Sequence, residues 1–286
     1  MKVSGFTFIK NGQILGYPFI QSIQSILPIV DEFVVNVGFG EDATLELVNS
    51  IKSKKIRVIQ SEWNENMTYK GFVYGQQKMI AQYSCTGDWL FYIEGDEIYH
   101  EQDIKNIRAL MNEHLKNPKI EAMAFDFIHF YGNGKSYLDS PGWYRSEVRA
   151  IKSSVRSYAP DGLFWVVLDK SRVGRYPNAI STNIPCYHYG WVRSQEEMNL
   201  KSKKVQKYWN KKYKRIDYSQ MDQNIIREFS GDHPQIIKDW LPNDKEVFKA
   251  DVNYRPSSKQ IKHRWIKKIE IIFGVDLSRK HYKKVK

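Results

Sequence analysis

The stretch Trp89 to Glu97, WLFYIEGDE, places Glu94, Asp96 and Glu97 around Gly95 directly after five strongly apolar residues. Successive side chains of an extended segment alternate in direction, so Glu94 and Asp96 point to one side, and the glycine leaves room for a ligand at the backbone. Two carboxylates so placed can face one hard divalent cation. Mg2+ or Mn2+ held by one or two carboxylates keeps its other positions for water and phosphate oxygens, which points to diphosphate chemistry. The plainer reading is that acids after a strand solubilise a turn or favour the start of the next helix. Position favours the metal: a short run rich in aromatic and β-branched residues is a strand buried on both faces, and open α/β sheets bind ligands at the carboxyl ends of their strands.

The elements that must hold this tip in place follow from periodicity. Residues 3–9 read as a strand. Phe19, Ile20, Ile23, Ile26 and Leu27 then recur at helical spacing until Pro28. Residues 33–37 and 56–59 are strand-like, Leu45, Val48 and Ile51 mark a helix opening near Asp42, and 72–84 reads as a helix with Gly87 beyond its end. Ile104, Ile107, Leu110, Met111 and Leu115 form one apolar face of a helix that stops before Pro118. Strand and helix alternating in this way predict βαβ units, right-handed crossovers and a mainly parallel sheet covered by helices.

Beyond 120 the texture changes. Residues 121–130 and 163–168 read as strands, and 131–146 reads as loop. Pro234 predicts a helix start, with Asp232 and His233 as caps. The run KSKKVQKYWNKKYKR (201–215) has no acid, and the tail from Lys259 alternates basic residues with Trp265, Ile266, Ile269, Ile271, Ile272 and Phe273. This tail is expected to be amphipathic helix that packs on the body or touches a charged surface.

With 286 residues, 42% hydrophobic and 27% charged, the chain is expected to form one large domain, here placed at 1–245, with a basic helical tail at 246–286. The net charge of +12 suits a phosphate-bearing partner: nucleic acid, an anionic membrane or a phosphorylated small molecule. Cys85 and Cys186 are too few and too far apart for a disulfide framework or a cysteine-ligated zinc site, so a reducing, cytoplasmic compartment is expected. Lys10 and Asn11 interrupt the first apolar run, which reads as a strand rather than a leader, and no stretch has the length of a membrane span.

The segment NVGFGEDAT (36–44) joins a strand to a helix through Gly38 and Gly40, so its backbone N–H groups can line the mouth of a sheet. Asp42 there reads equally as a helix cap or a nucleotide contact. The succession VSGFTFIKNG, FVVNVGFGEDATLELV, IRVIQSEWNEN and GQQKMIAQYSCTGDWLFYIEGDE resembles the N-terminal half of family 2 glycosyltransferases of the GT-A fold, over about residues 2 to 130. The resemblance implies a Rossmann-like nucleotide-binding half (1–130), an acceptor-binding half (131–245), and transfer of a sugar from a nucleotide diphosphate, usually with inversion. By position it implies that Asn11, Asn36 and Asp42 lie near the nucleotide, that Gly71 and Gln76 approach it, and that Asp96 is the last acid of the metal motif. Glu94 and Asn36 stand where many members have aspartate or another acid.

Inverting transfer needs a general base for the acceptor hydroxyl while the C1–O bond breaks, and a cation on the departing diphosphate. Asp161, in YAPDGLFWVV, is the preferred base and Glu147, in WYRSEVRAI, the second candidate. The competing readings are a Pro-Asp-Gly turn for Asp161 and an ion pair with Arg145 or Arg149 for Glu147. In PCYHYGWVRS (185–194), His188 is a candidate metal ligand and Arg193 a diphosphate contact, against the plainer reading of a packed histidine. Trp143, Tyr144 and Trp165 can stack on sugars or simply fill the core.

The expected function is transfer from a nucleotide-diphospho-sugar, with Mn2+ or Mg2+, to a glycan or lipid-linked acceptor of the cell envelope, at the inner face of an anionic membrane. Three alternatives compete. A nucleic-acid-binding protein has only the charge and the 201–215 run in its favour. A glycoside hydrolase needs carboxylates flanking a bond, whereas Glu94 and Asp96 share one loop and one side. A sugar-nucleotide pyrophosphorylase lacks its glycine- and basic-rich loop near the N-terminus.

Overall fold

A computed structural model describes residues 1–244 and 246–285. The N-terminal half alternates β1 (Val3–Ile9), α1 (Phe19–Ile26), β2 (Glu32–Gly38), α2 (Thr44–Asn49), β3 (Ile56–Ser61), α3 (Phe72–Tyr83), β4 (Trp89–Tyr92), β5 (Glu97–Tyr99) and α4 (Ile104–His114). There follow β6 (Ala122–Tyr131), β7 (Asn133–Leu138), β8 (Ser146–Lys152), β9 (Ser157–Tyr158), β10 (Val166–Leu168), β11 (Gly174–Arg175) and β12 (Asn178–Trp191). The chain closes with α5 (Gln195–Val205), β13 (Ile226–Glu228), α6 (Ser258–Phe273) and β14 (Lys283–Lys284).

In the row β3-β2-β1-β4-β8-β6-β12 every strand but β8 runs in one direction, which is the mainly parallel sheet the sequence predicts. Strand β4 lies between β1 and β8 and is buried on both faces by the elements packed above and below the sheet. Its alternate residues go to separate cores: Trp89 and Phe91 pack with Phe19 and Ile23 of α1 and Ile107 and Met111 of α4, while Leu90 and Tyr92 pack with Phe6, Ala81 of α3 and Trp165. The acidic tip after β4 is therefore anchored from both sides.

The second half departs from expectation in three places. Residues 131–146 contain β7, a strand that pairs with β13 from ninety residues further on; that partner, and not local alternation, makes it a strand. Within 163–168 only Val166–Leu168 is a strand, in a small sheet with β9 and β11, and Trp165 is fully buried. After Pro234 there is a single 3-10 turn, and His233 is bonded to the Tyr189 hydroxyl and the Gly134 carbonyl, each at 2.9 Å, where a cap was expected. The domain boundary expected after 245 falls on Lys245, outside the described residues. From the tail, β14 adds to the sheet beside β12.

Candidate functional site

The carboxyl ends of β1 and β4 open into a cavity of about 540 Å³. One wall is aromatic, with Phe8, Trp63, Tyr74 and Tyr208 in mutual ring contact at 5.4 to 6.0 Å. The floor carries Glu94, Gly95 and Asp96. The opposite side is formed by the end of α5 and the turn after it, where Lys204 and Lys207 line the space.

Within the tip, the acids part company. Glu97 is fully buried and takes a forked pair from Arg149, Nε to Oε2 at 2.8 Å and Nη2 to Oε1 at 2.5 Å, with no exposed atom on either side chain. Glu94 lines the cavity and shares the same guanidinium at 3.3 Å. Burial and the adjacent Glu97 push the Glu94 pKa up to about 8. Asp96 behaves oppositely: burial alone would raise its pKa, but nearby cations, Lys201 foremost, outweigh burial and hold it down to about 2. Lys201 Nζ stands 3.2 Å from Asp96 Oδ2, and His188 Nε2 stands 3.6 Å from Asp96 Oδ1.

The tautomer of His188 follows from its neighbours. His129 Nε2 lies 2.6 Å from the Tyr144 carbonyl and must donate to it, so in neutral His129 Nδ1 accepts. His188 Nδ1, 2.9 Å from that atom, is therefore the donor, and its Nε2 carries a lone pair beside the Asp96 carboxylate. Burial lowers the pKa of both rings, which keeps them neutral. A Cβ on Gly190 would come within 2.8 Å of His188 Nε2 and 2.9 Å of Asp96 Oδ2, so glycine keeps this gap open. An imidazole lone pair and a carboxylate facing one open gap, with the imidazole oriented from behind, suit Mn2+ or Mg2+ as a two-donor site completed by other oxygens. No cluster of three or more His, Cys, Asp or Glu able to hold a metal occurs among the described residues.

The other residues singled out from the sequence divide into two groups. Asn11 lines the cavity, its backbone left-handed at φ 55°, while its Oδ1 accepts from the Glu41 N–H at 2.7 Å. Arg193 is almost fully buried, lies over the Tyr17 ring and donates Nη1 to the Leu15 carbonyl; its Nε and Nη2 have no partner among the described residues. Asn11 thus borders the cavity, while Arg193 lies behind two of its lining residues, Leu15 and Tyr17. Asn36 does not reach it: fully buried, it bonds Gln77 Oε1 at 2.9 Å and Ser61 Oγ at 2.7 Å. Gln76 is exposed, and its neighbour Gln77 is the one turned inward, a shift of one residue that rotates a helical side chain to another face. Gly71 has φ 72° and lets the Trp209 ring approach to 2.8 Å of where a Cβ would be. Asp42 is occupied locally, accepting from Ile14 N at 2.9 Å and Thr44 Oγ1 at 2.6 Å, and so serves the loop.

Asp161 does make the expected turn, its Oδ1 accepting from Leu163 N at 2.8 Å, and it stays half-buried. Its loop nevertheless leans on the cavity wall: a Cβ on Gly162 would meet Tyr74 at 3.3 Å and Phe8 at 3.5 Å. Glu147 is fully buried and bonded to His281 Nδ1 at 2.5 Å, away from the cavity-lining residues; its partner comes from the tail, because Arg145 and Arg149 are taken by Glu270 and Glu97. Glu147 is thus a paired interior acid with no surface from which to meet a substrate.

Sequence reasoning missed the cationic side of the cavity. Lys201, Lys204 and Lys207 end on Asp96, Glu41 and Glu65 respectively. Their spacing of three, inside the run 201–215, was the available signal for one helical face. Lys78 was missed too: fully buried on α3, it donates to Gly162 O at 3.0 Å and lies over the Trp165 ring at 3.6 Å, and burial with Arg149 depresses its pKa to about 7. It pins the loop that carries Asp161.

No protein-family model matches the chain. It is similar to an uncharacterised glycosyltransferase of Rickettsia typhi, with 23% identity over 203 residues, covering 69% of this chain and 63% of that protein's length. Among solved structures it is similar to S. aureus TarS, with 15% identity and a TM-score of 0.39 over 72% of this chain and 39% of that one. It is also similar to glucosyl-3-phosphoglycerate synthase from Mycobacterium tuberculosis, with 18% identity and a TM-score of 0.32 over 46% and 45% of the two chains.

Proposed function

We propose that the cavity binds a nucleotide-diphospho-sugar and that the chain transfers the sugar, with inversion, to a hydroxyl of a glycan or lipid-linked acceptor in cell-envelope polysaccharide synthesis. The observation that carries this reading is Asp96, held ionised by Lys201 and facing the free nitrogen of His188 at the carboxyl end of β4. The similarity to a named glycosyltransferase supports it.

The physical division of labour is as follows. The rings of Phe8, Trp63, Tyr74 and Tyr208 offer faces for a base, and Asn11 and the backbone near Gly95 offer polar contacts beside them. Lys201 supplies a donor for diphosphate oxygens, and Arg193, buried against Tyr17 and Leu15, adds positive charge behind that wall as the proposed diphosphate contact. Asp96 and His188 would hold Mn2+ or Mg2+, which when bound neutralises charge on a departing diphosphate. In the transfer itself the acceptor oxygen bonds to C1 of the sugar, the bond from C1 to the diphosphate oxygen breaks with its electron pair leaving on that oxygen, and the hydroxyl proton goes to Asp161. Asp161 is chosen because its loop abuts Phe8 and Tyr74 while Glu147 is sealed against His281.

A nucleic-acid role rests on charge alone, and three lysines of the 201–215 run, Lys201, Lys204 and Lys207, are turned to acids at the cavity in place of an open basic face. The test is a panel of UDP-, GDP-, dTDP- and CMP-sugars with and without Mn2+, read by thermal stabilisation and slow donor hydrolysis. One nucleotide class should stabilise the protein and be hydrolysed, more so with Mn2+. Silence across the panel overturns the reading.

A further inference from the structure

Helix α6 is amphipathic and docked the wrong way round for a water-soluble surface. Its capping box (Ser257 with Gln260) and its left-handed Gly274 at φ 61° define it firmly at both ends. Yet the side it turns to the body is charged. Glu270 is 5% exposed and accepts from Arg145 Nη1 on both oxygens at 2.9 Å and from Leu277 N at 2.8 Å, Arg264 pairs with Asp222 at 2.6 Å, and Lys267 pairs with Asp139 at 2.8 Å. The side left to solvent is apolar: Ile261, Trp265, Ile269 and Ile272 recur at spacings of four and three, with Trp265 61% and Ile272 74% exposed. Phe273 extends the stripe, and Val275 and Leu277 continue it past the helix end. A contiguous apolar stripe of this length marks a surface that something covers.

Charge identifies what covers it. Lys262 and Lys268 border the stripe and Lys259 lies in the first turn of the helix; all three are exposed and form no ion pair among the described residues. The only acid of the helix, Glu270, is spent inward. Beside the Lys268 edge lies a groove of about 440 Å³ whose lining joins Ile261 and Trp265 of the stripe to Arg227, Arg264, Lys267 and Lys268, with Asp139 as its one acid. A second copy of the chain would bring these lysines against their own equivalents on a molecule of net charge +12. An anionic lipid surface meets both features at once, with acyl chains for Trp265, Ile269 and Ile272 and phosphate headgroups for the flanking lysines.

We propose that α6 and the segment to Leu277 form an interfacial anchor that lies flat in an anionic membrane surface, its apolar stripe in the headgroup boundary and its lysines on lipid phosphates. No helix among the described residues is long and apolar enough to cross a membrane, so the contact is peripheral. The anchor goes beyond the reading of the cavity and stands whether or not the cavity binds a nucleotide sugar.

The test is co-sedimentation of the full chain with vesicles of phosphatidylcholine containing phosphatidylglycerol, against phosphatidylcholine alone. Binding should require phosphatidylglycerol and weaken as salt is raised. Lys262→Gln and Lys268→Gln should each weaken it about fivefold, and Trp265→Ser with Ile272→Ser about tenfold or more. Circular dichroism and thermal unfolding on each variant separate loss of binding from loss of fold. Tryptophan emission should shift to the blue on vesicles in the parent and not in Trp265→Ser. No binding to phosphatidylglycerol vesicles overturns the proposal. So does a concentration-dependent dimer that the Trp265 and Ile272 substitutions dissolve, which would give the stripe to a second copy. Binding that the stripe variants leave unchanged would reduce the effect to diffuse charge and overturn it as well.

Discussion

Helices α5 and α6 are both rich in lysine, and their lysines work in opposite directions. Along α5 and the turn after it, Lys201, Lys204 and Lys207 reach acids on the rim of the cavity. On α6, Lys267 and Arg264 are paired inward while Lys259, Lys262 and Lys268 stand in solvent beside exposed tryptophan and isoleucine. The difference is where the acids are. The cavity rim gathers Glu41, Glu65 and Asp96 from three separate loops, so the α5 lysines form a clamp whose partners a phosphate can displace. Around α6 the acids Asp139, Asp222 and Glu270 all lie on the body side, so the remaining cations face outward. A basic run acquires its role from the carboxylates that fold against it.

The sharpest way to break this contrast is to remove the acid on which the cavity side depends. Asp96→Asn should lower turnover by about 10²- to 10³-fold, or about 3 to 4 kcal/mol of barrier, because charge stabilisation in a closed site is lost. Steady-state donor hydrolysis and transfer measure this, with circular dichroism to verify the fold. Turnover above a tenth of the parent would remove Asp96 from the centre of the site.

On the α6 side the corresponding change is Glu270→Gln. It leaves Arg145 facing Asp276 and Asp139 only, and Arg145 is a quarter exposed, so water softens the loss. An unfolding cost of about 1 to 3 kcal/mol is expected, below the range for breaking a fully buried pair. Urea unfolding measures it. A variant as stable as the parent would mean that the charged face does not hold α6 to the body.

These two acids also mark how far the sequence could be read. Asp96 was legible because β4 announces itself as a buried strand and the glycine sets the spacing of the acids after it. The same local logic located β1 to β4 and α1 to α4 closely. Glu270 was not legible, since its partner Arg145 lies 125 residues away and nothing local distinguishes an inward acid from an outward one. Gln76 and Gln77 fail for a related reason: adjacent helical residues face different ways, and only the sheet decides which meets Asn36. Strand β7 and the pairing of Glu147 with His281 are likewise set by distant segments.

A smaller effect sharpens the clamp. Lys201→Met should raise KM for the donor about tenfold, close to 1.4 kcal/mol, while kcat falls less, if the ammonium mainly binds diphosphate. Isothermal titration with the nucleotide diphosphate gives an independent readout. An unchanged affinity would leave Lys201 as a structural partner of Asp96.

The smallest effect concerns Lys78, a basic residue in neither cluster and, like Arg149, fully buried. Burial first, then Arg149, lowers its pKa from 10.5 to about 7, so the unfolded chain binds this proton more tightly than the folded one. Between pH 7 and 10.5 the unfolded state therefore carries more protons, and the stability of the parent should rise with pH across that window. Near pH 7 Lys78→Met relieves a buried charge and loses the bonds to Gly162 and Leu163, so the net change there should be within about 1 kcal/mol. The slope is what discriminates: thermal unfolding of the parent should gain about 2 to 4 °C for each kcal/mol over the variant as pH rises toward 10. Parallel curves would mean that the ammonium is neutralised in the folded state by Glu94 and Asp161, and that the loop bearing Asp161 is held by an ion pair in place of a hydrogen-bonded amine.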